Sequence, residues 1–127
     1  MNLLLDTHTL LWYFEADEKL SEKAKTAIEN PKNKIFISIA VIWELSIKIS
    51  INKINFEDGF VNFLKTINKN GIEILPISIE SLIVLSTLEF IHRDPFDRIM
   101  IAQSISGKLT FITKDEFMPK YDIKTIW

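Results

Sequence analysis

Short apolar runs alternate along the whole chain with longer segments that have the periodicity of amphipathic helices. A short apolar run bounded by turn residues predicts a buried strand, and its regular alternation with helices predicts parallel strands joined by helical crossovers. We therefore predict an α/β domain built on a mostly parallel sheet. The predicted strands are Asn2–Leu5, Lys34–Ile37, Ile72–Leu75, Leu109–Ile112 and Ile123–Ile126.

Helical patterns separate these strands, and several of them have recognisable ends. Ser78 and Asp94 are N-cap candidates, and Pro95 suits the first helical position. Gly71 and Gly107 follow predicted helices, where a left-handed residue is often needed. The segment from Ile39 to Ile51 is apolar nearly all round, which predicts a buried helix. The predicted helices are Thr7–Glu15, Ser21–Glu29, Ile39–Ile51, Glu57–Lys69, Ile79–Leu88 and Pro95–Ser106.

The composition narrows the class of protein. With 127 residues, 47% of them hydrophobic, we expect one domain spanning residues 1–127. The chain has no cysteine, which excludes disulfides and thiolate metal sites and suits the cytoplasm. We expect no membrane span, because no uninterrupted apolar run approaches 18 residues, and no signal peptide, because residues 1–5 lack a basic start and are followed at once by Asp6. A formal charge of −2 argues against strong non-specific attraction to nucleic acid without excluding a nucleic-acid substrate.

Four acidic residues far apart in the chain lie where apolar segments end or begin, or inside such a segment. Asp6 and Asp115 follow predicted strands, Asp97 follows a helix start, and Glu44 lies within an apolar helix. In open α/β sheets, ligands bind outside the carboxyl ends of the strands, which favours convergence of Asp6 and Asp115. Converging carboxylates repel one another, by about 4 kcal/mol for a pair near 4 Å at an effective dielectric of 20. A hard divalent cation such as Mg²⁺ or Mn²⁺ is the common remedy.

Each of these acids also has an ordinary structural explanation. Asp6 and Asp115 can end a strand or cap a turn, and Asp97 suits the positive end of a helix. Glu44 precedes Lys48 by one helical turn and can pair with it. Glu44 nevertheless lies between apolar neighbours, so we expect it to have a further partner. The residues alone leave both explanations open, and their joint arrangement favours a metal site.

Basic and aromatic residues give weaker indications. Three consecutive aromatic residues, Trp12, Tyr13 and Phe14, cannot all face inward from one helix, so at least one should be exposed and available to a protein partner. Some of the basic residues are candidates for phosphate contacts, although each is equally typical of a solvated surface. These residues are Lys48, Arg93, Arg98 and Lys114.

The ordered set of motifs resembles that of PIN-domain ribonucleases, and most closely the VapC toxins of toxin–antitoxin pairs. The resemblance spans the whole chain and departs from the family pattern at Asp94, an extra acid close to Asp97. The matching segments are Leu5–His8, Ser38–Lys48, His92–Arg98, Thr113–Phe117 and the C-terminal Trp127.

This resemblance implies a three-layer α/β/α sandwich with a parallel sheet of about five strands. It implies that Asp6 and Asp97 are the principal ligands of Mg²⁺ or Mn²⁺, and that Glu44 and Asp115 complete the site. The side chains expected to orient these groups or to bind substrate are Thr7, Ser38, Lys48, Arg98 and Thr113.

The resemblance also implies an activity and partners: hydrolysis of RNA by metal-activated water, inhibition by a VapB-like antitoxin, and a homodimer that the aromatic first helix would permit. Two alternatives remain open. One is a PIN-like binding module without catalysis. The other, a phosphoacceptor signalling domain, is disfavoured because Asp6 stands alone and the strand Ile72–Leu75 runs into Pro76 without an acid.

Overall fold

The computed structural model describes all 127 residues and contains a single sheet of five parallel strands. Each strand lies within one residue of its predicted bounds, because each is a short apolar run with clear turn residues beside it. The first matches the prediction, the second gains Ser38, and the other three each begin one residue later than predicted. The strands are β1 (Asn2–Leu5), β2 (Lys34–Ser38), β3 (Glu73–Leu75), β4 (Thr110–Ile112) and β5 (Lys124–Ile126).

The strand order in the sheet is β3-β2-β1-β4-β5. β1 is central, with Leu5 opposite Ile37 of β2 on one side and opposite Ile112 of β4 on the other. The chain runs from β1 to β2 and β3 on one side of β1, and then crosses back from β3 to β4 on the other side. The point between β1 and β4 is where the strand order reverses, and the carboxyl ends of these two strands border it.

The six predicted helices are all present, although most are shorter than predicted. Ser21, Ser38, Ser78 and Asp94 cap α2, α3, α5 and α6 by accepting backbone N–H groups, which explains where these helices begin. A single 3₁₀ turn at Met118–Lys120 precedes β5. The helices are α1 (Thr7–Phe14), α2 (Glu22–Glu29), α3 (Ile39–Ser50), α4 (Phe60–Lys69), α5 (Ile79–Ser86) and α6 (Pro95–Gly107).

Helices cover both faces of the sheet. Successive strand side chains point to opposite faces, and the consecutive residues Leu3, Leu4 and Leu5 are all fully buried. On one side α6 packs between α3 and α5, where Ala40 meets Ala102. On the other side α1 contacts α4 through Phe14 and Phe63. The predicted three-layer α/β/α sandwich is thus confirmed. No helix is both long and apolar enough to cross a membrane.

Two local predictions were wrong. The helix α3 is not buried: Trp43 is 60% exposed, and Ile39 and Ile47 on the same stripe are exposed as well. An apolar pattern does not specify what covers a helix, and α3 buries only one side against its own chain. The left-handed residue after α6 is Lys108, with φ of 52°, whereas Gly107 is still helical. Gly71 does adopt positive φ, as predicted.

Candidate active site at the carboxyl ends of β1 and β4

Asp6 lies directly after β1 and is held from two directions. Its Oδ1 atom accepts a hydrogen bond from the backbone N–H of Thr9 at 2.8 Å, which makes Asp6 the N-cap of α1. Its Oδ2 atom accepts from the hydroxyl of Thr113 at 2.6 Å. Thr113 directly follows β4, so the pairing of two parallel strands joins residues that lie 107 positions apart. The carboxylate is therefore fixed at the reversal point of the sheet.

Asp97 lies in the first turn of α6 and has the most perturbed acidity in the site. Asp94 caps this helix by accepting the backbone N–H groups of Phe96 and Asp97. Burial, followed by the negative charges of Asp94, Asp115 and Asp6, raises the pKa of Asp97 to about 6, although His92 opposes the shift. No hydrogen bond from the protein contributes to lowering it. A carboxylate so placed is stabilised by a nearby cation.

Asp115 is bound to a histidine. Its Oδ2 atom lies 2.7 Å from Nε2 of His92, and its Oδ1 atom accepts the backbone N–H of Phe117. The hydroxyl of Tyr121 lies 2.9 Å from Nδ1 of His92 and accepts the backbone N–H of His92 at 2.7 Å. With the proton on Nε2, the ring donates to Asp115, and the Tyr121 hydroxyl pairs with Nδ1. His92 and Tyr121 therefore fix the position of Asp115.

Three of the four predicted carboxylates line one cavity of about 450 Å³. This cavity opens at the reversal point of the sheet, where ligand sites are expected in such folds. The partly buried indole of Trp12 and the exposed side chain of Lys114 line the same cavity as the acids. The lining residues are Asp6, His8, Trp12, Asp97, Lys114, Asp115, Glu116 and Met118.

Glu44, the fourth predicted carboxylate, does not line this cavity. Its Oε1 atom accepts a hydrogen bond from the hydroxyl of Thr7 at 2.5 Å, and its Oε2 atom lies 3.3 Å from Nζ of Lys48. Thr7 is thus the additional partner that the apolar setting of Glu44 called for. Because Thr7 follows Asp6 in the chain, Glu44 lies beside the cavity rather than in it. Lys48 forms an ion pair with Glu44, and its contact with a phosphate stays a prediction.

The side chains of Ser38 and Arg98 form hydrogen bonds with backbone groups. The fully buried Ser38 hydroxyl accepts the N–H of Ala40 and fixes the start of α3, the helix that carries Glu44. Arg98 is 6% exposed, so the expected substrate contact is replaced by a structural role. Its guanidinium donates to three backbone carbonyls of the loop before α6 and lies 3.9 Å above the Phe90 ring. The three carbonyls belong to Leu88, Glu89 and His92.

The donor chemistry fits Mg²⁺ or Mn²⁺, because carboxylate oxygens are hard ligands and the chain has no thiol. The side chains are not gathered into a ready coordination group, however. No three His, Asp or Glu residues are placed to hold a metal ion together. Each carboxylate other than that of Asp97 has its own protein partner: Thr113 for Asp6, His92 for Asp115, and Thr7 with Lys48 for Glu44.

Two residues of the site could not be assigned a role from the sequence. His92 was recognisable only as a histidine beside the Asp94–Arg98 segment, and nothing singled out Tyr121. Their contact with Asp115 depends on the loop before α6 meeting the segment after β4, which the strand order produces. The hydroxyl of a buried tyrosine usually has a hydrogen-bond partner, and this general rule is the only sign in the sequence that Tyr121 contacts a polar group.

Comparison with solved structures shows the same architecture in toxin–antitoxin assemblies. A chain of VapBC2 from Rickettsia felis, bound to a promoter DNA fragment, superimposes with a TM-score of 0.76 at 16% identity, covering 100% of this chain and 99% of that one. VapBC-1 from nontypeable Haemophilus influenzae gives 0.74 at 17% identity, covering 99% and 97%. A toxin–antitoxin complex from Klebsiella pneumoniae gives 0.64 at 19% identity, covering 98% and 96%. At these identities the likeness establishes the fold.

No curated protein matches the sequence significantly. The family model of the PIN domain matches residues 3–124, which includes all but the first residue of β1, the whole of β2, β3 and β4, and all four predicted carboxylates. The chain belongs to the PIN-domain family.

Proposed function

We propose that this protein is a metal-dependent endoribonuclease that acts in the cytoplasm as the toxin of a type II toxin–antitoxin pair. The observation that carries the proposal is the meeting of Asp6, Asp97 and Asp115 at one cavity at the reversal point of the sheet. Membership of the PIN-domain family supports the same chemistry. The fold shared with chains of VapBC complexes supports the toxin role.

The carboxylates have distinct roles in this proposal. Asp6 and Asp97 hold Mg²⁺ or Mn²⁺, and Asp115 and Glu44 complete the site directly or through water. The cation, when bound, supplies activation of the hydrolytic water and offsets charge on the phosphodiester. Thr113 keeps Asp6 in place, and His92 keeps Asp115 in place, so that neither carboxylate has to be oriented during the reaction.

Cleavage assays test this proposal directly. A mixture of total RNA should be cut when Mg²⁺ or Mn²⁺ is added and left intact with a chelator. Asp6→Asn and Asp97→Asn should each lower cleavage by at least about 100-fold, which is the scale of losing one electrostatic group in an active site. Asp58→Asn, in the exposed turn before α4, is the matched control and should cut normally. Equal activity in all four proteins would contradict the assignment.

The antitoxin partner is supported by a groove between α1, α2 and the end of α4. The groove has a volume of about 560 Å³ and combines aromatic side chains with an excess of acids over its single lysine. Such a surface complements a protein segment with apolar and basic side chains. The main acids are Asp17, Glu18, Glu22 and Glu29, and the apolar side chains are Tyr13, Phe14, Ala16 and Leu20.

The partner proposal has its own test. The chain should form a stable complex when co-expressed with the protein encoded beside it, and Glu22→Lys combined with Glu29→Lys should weaken that complex. Glu57→Lys combined with Glu73→Lys, at two exposed positions outside the groove, is the matched control for added positive charge. Binding that is unchanged by the groove substitutions would place the antitoxin elsewhere.

A homodimer is supported by the exposed apolar residues of α3 and α5, the α3–α5 face. These side chains recur at helical spacing on the two helices that flank α6. We propose that a second copy covers this face, because two-fold association buries the same apolar patch on both partners. The face consists of Ile39, Trp43, Ile47, Ile79, Leu82 and Ile83.

One observation favours the second candidate function, a PIN-like binding module without catalysis. The carboxylates other than Asp97 are each tied to their own protein partner, and no three acids form a ready coordination group. Calorimetric titration with Mn²⁺ separates the two. Binding that is lost in Asp97→Asn supports the nuclease, whereas RNA binding without Mn²⁺ uptake or cleavage supports the binding module.

A further inference from the structure

An aromatic ring shares the cavity with the three carboxylates. Trp12 lies on α1, six residues beyond Asp6, and its side chain is only partly buried. Packing against the core and an edge contact with Trp127 at 5.8 Å account for one part of the ring. Neither of these contacts covers the part of the Trp12 ring that lines the cavity. A partly exposed tryptophan beside a charged site is available to a planar ligand.

Three basic side chains surround this ring. The ammonium groups of Lys114 and Lys19 each lie 5.9 Å from the centre of the Trp12 ring. The exposed imidazole of His8 is stacked on it, with ring centres 5.5 Å apart. Lys114 lines the same cavity as the acids. The three carboxylates repel a phosphate. The ammonium group of Lys114 offsets this repulsion, so a positive charge at this place favours a phosphodiester over a neutral ligand.

Proteins commonly bind unpaired nucleotides with an aromatic ring that lies beside a basic side chain. Every nucleobase presents a flat face to stack on an aromatic ring, and the linked phosphate contacts the cation. Base-paired duplexes keep these faces inside the stack. The cavity volume of about 450 Å³ lies within the range of sites for small planar ligands.

We propose that Trp12 and Lys114 form a subsite for an unpaired nucleotide next to the scissile phosphate. The base stacks on the Trp12 ring in place of the exposed His8 imidazole, and its phosphate contacts Lys114. This inference rests on the proposed nuclease function, because it takes the three carboxylates as the place of cleavage.

Binding measured in a chelator tests the subsite separately from cleavage. The probes are a single-stranded oligoadenylate of 12 nucleotides and the same ribose-phosphate chain without bases. The wild-type protein should bind the oligoadenylate more tightly. Trp12→Leu should weaken that binding by about 5- to 100-fold and leave the abasic probe unaffected, because stacking on one ring is worth this much. Trp12→Phe should retain most of the preference.

Two further variants make the result specific. Lys114→Gln should weaken both probes alike and reduce the salt dependence of binding by about one phosphate contact. Phe60→Leu, which changes a partly exposed aromatic residue of α4 away from both cavities, should change neither. Thermal unfolding establishes that each variant is folded.

Equal affinity of the wild-type protein for the two probes would overturn the subsite, even if Trp12→Leu failed to fold. So would an equal loss of both probes in a folded Trp12→Leu variant. The nuclease proposal fails on a different result. A protein that prefers bases through Trp12 but never cuts RNA in Mg²⁺ or Mn²⁺ has the subsite without the chemistry.

Discussion

The Nε2 atom of His92 lies 2.7 Å from the Oδ2 atom of Asp115, and the hydroxyl of Tyr121 holds the other side of the same ring. The loop before α6 is thereby connected to the segment after β4. Arg98 fixes that loop from within, through the carbonyls of Leu88, Glu89 and His92. One chain of contacts thus extends from a buried guanidinium to a carboxylate of the cavity.

The first prediction concerns the histidine. His92→Gln should weaken Mn²⁺ binding by about 10- to 100-fold, because partners that orient a ligand contribute on this scale. Tyr121→Phe should have a smaller effect in the same direction. Calorimetric titration measures both. His8→Gln is the matched control: His8 lines the cavity but has no contact with Asp115, and its loss should leave Mn²⁺ affinity unchanged. Equal affinity in His92→Gln and wild type would show that Asp115 needs no support.

The second prediction concerns pH and Asp97. The pKa of this carboxyl is raised from 3.8 to about 6, so at intermediate pH the folded protein holds a proton that the unfolded chain has released. The free energy of unfolding should therefore fall as pH rises from about 4 to 6. Because Asp97 is partly solvated, screening reduces this effect to about 1 kcal/mol.

Asp97→Asn isolates this contribution. The variant should match wild type near pH 4 and be more stable by about 1 kcal/mol at pH 7, measured by urea unfolding at both pH values. Asp58→Asn, an exposed control, should show no such pH-dependent difference. A constant difference between Asp97→Asn and wild type across this range would contradict the raised pKa.

The third prediction concerns Arg98. Arg98→Lys should destabilise the fold by about 2–4 kcal/mol, because an ammonium cannot replace a planar guanidinium that donates to three carbonyls. The readout is the free energy of unfolding in urea. Arg93→Lys, at an exposed position of the same loop, should change it by less than about 0.5 kcal/mol. If both variants unfolded alike, the buried contacts would have little energetic value.

The fourth prediction concerns the α3–α5 face. Ile83→Asp should convert a dimer into a monomer, because it places a charge within a proposed apolar interface. Light scattering after gel filtration measures the mass. Val61→Asp is a close control, since Val61 is 65% exposed on α4 and Ile83 is 63% exposed on α5. A wild-type protein that is monomeric at high concentration would sink the dimer.

The secondary structure was accessible from the sequence because its signals are local. All five strands lie within one residue of their predicted bounds, and Ser78 and Asp94 cap helices where expected. The parallel sheet then brought Asp6 and Asp115 to one edge, as their places after strands suggested.

Other features depend on contacts that no local pattern contains. The exposure of Trp43 could not be foreseen, because an apolar stripe looks the same whether the chain itself or another molecule covers it. Arg98 resembled a substrate-binding residue by its motif, yet its guanidinium is used up by carbonyls of its own loop. Glu44 was expected in the cavity, and its bonds to Thr7 and Lys48 hold it beside the cavity.

The bond between Thr113 and Asp6 has a consequence during protein synthesis. Asp6 emerges from the ribosome 107 residues before its partner Thr113. A nascent chain therefore cannot fix the Asp6 carboxylate in its final position until β4 and Thr113 have been translated and β4 has paired with β1. Under the proposed nuclease function, a partly translated chain lacks the site that would cut RNA.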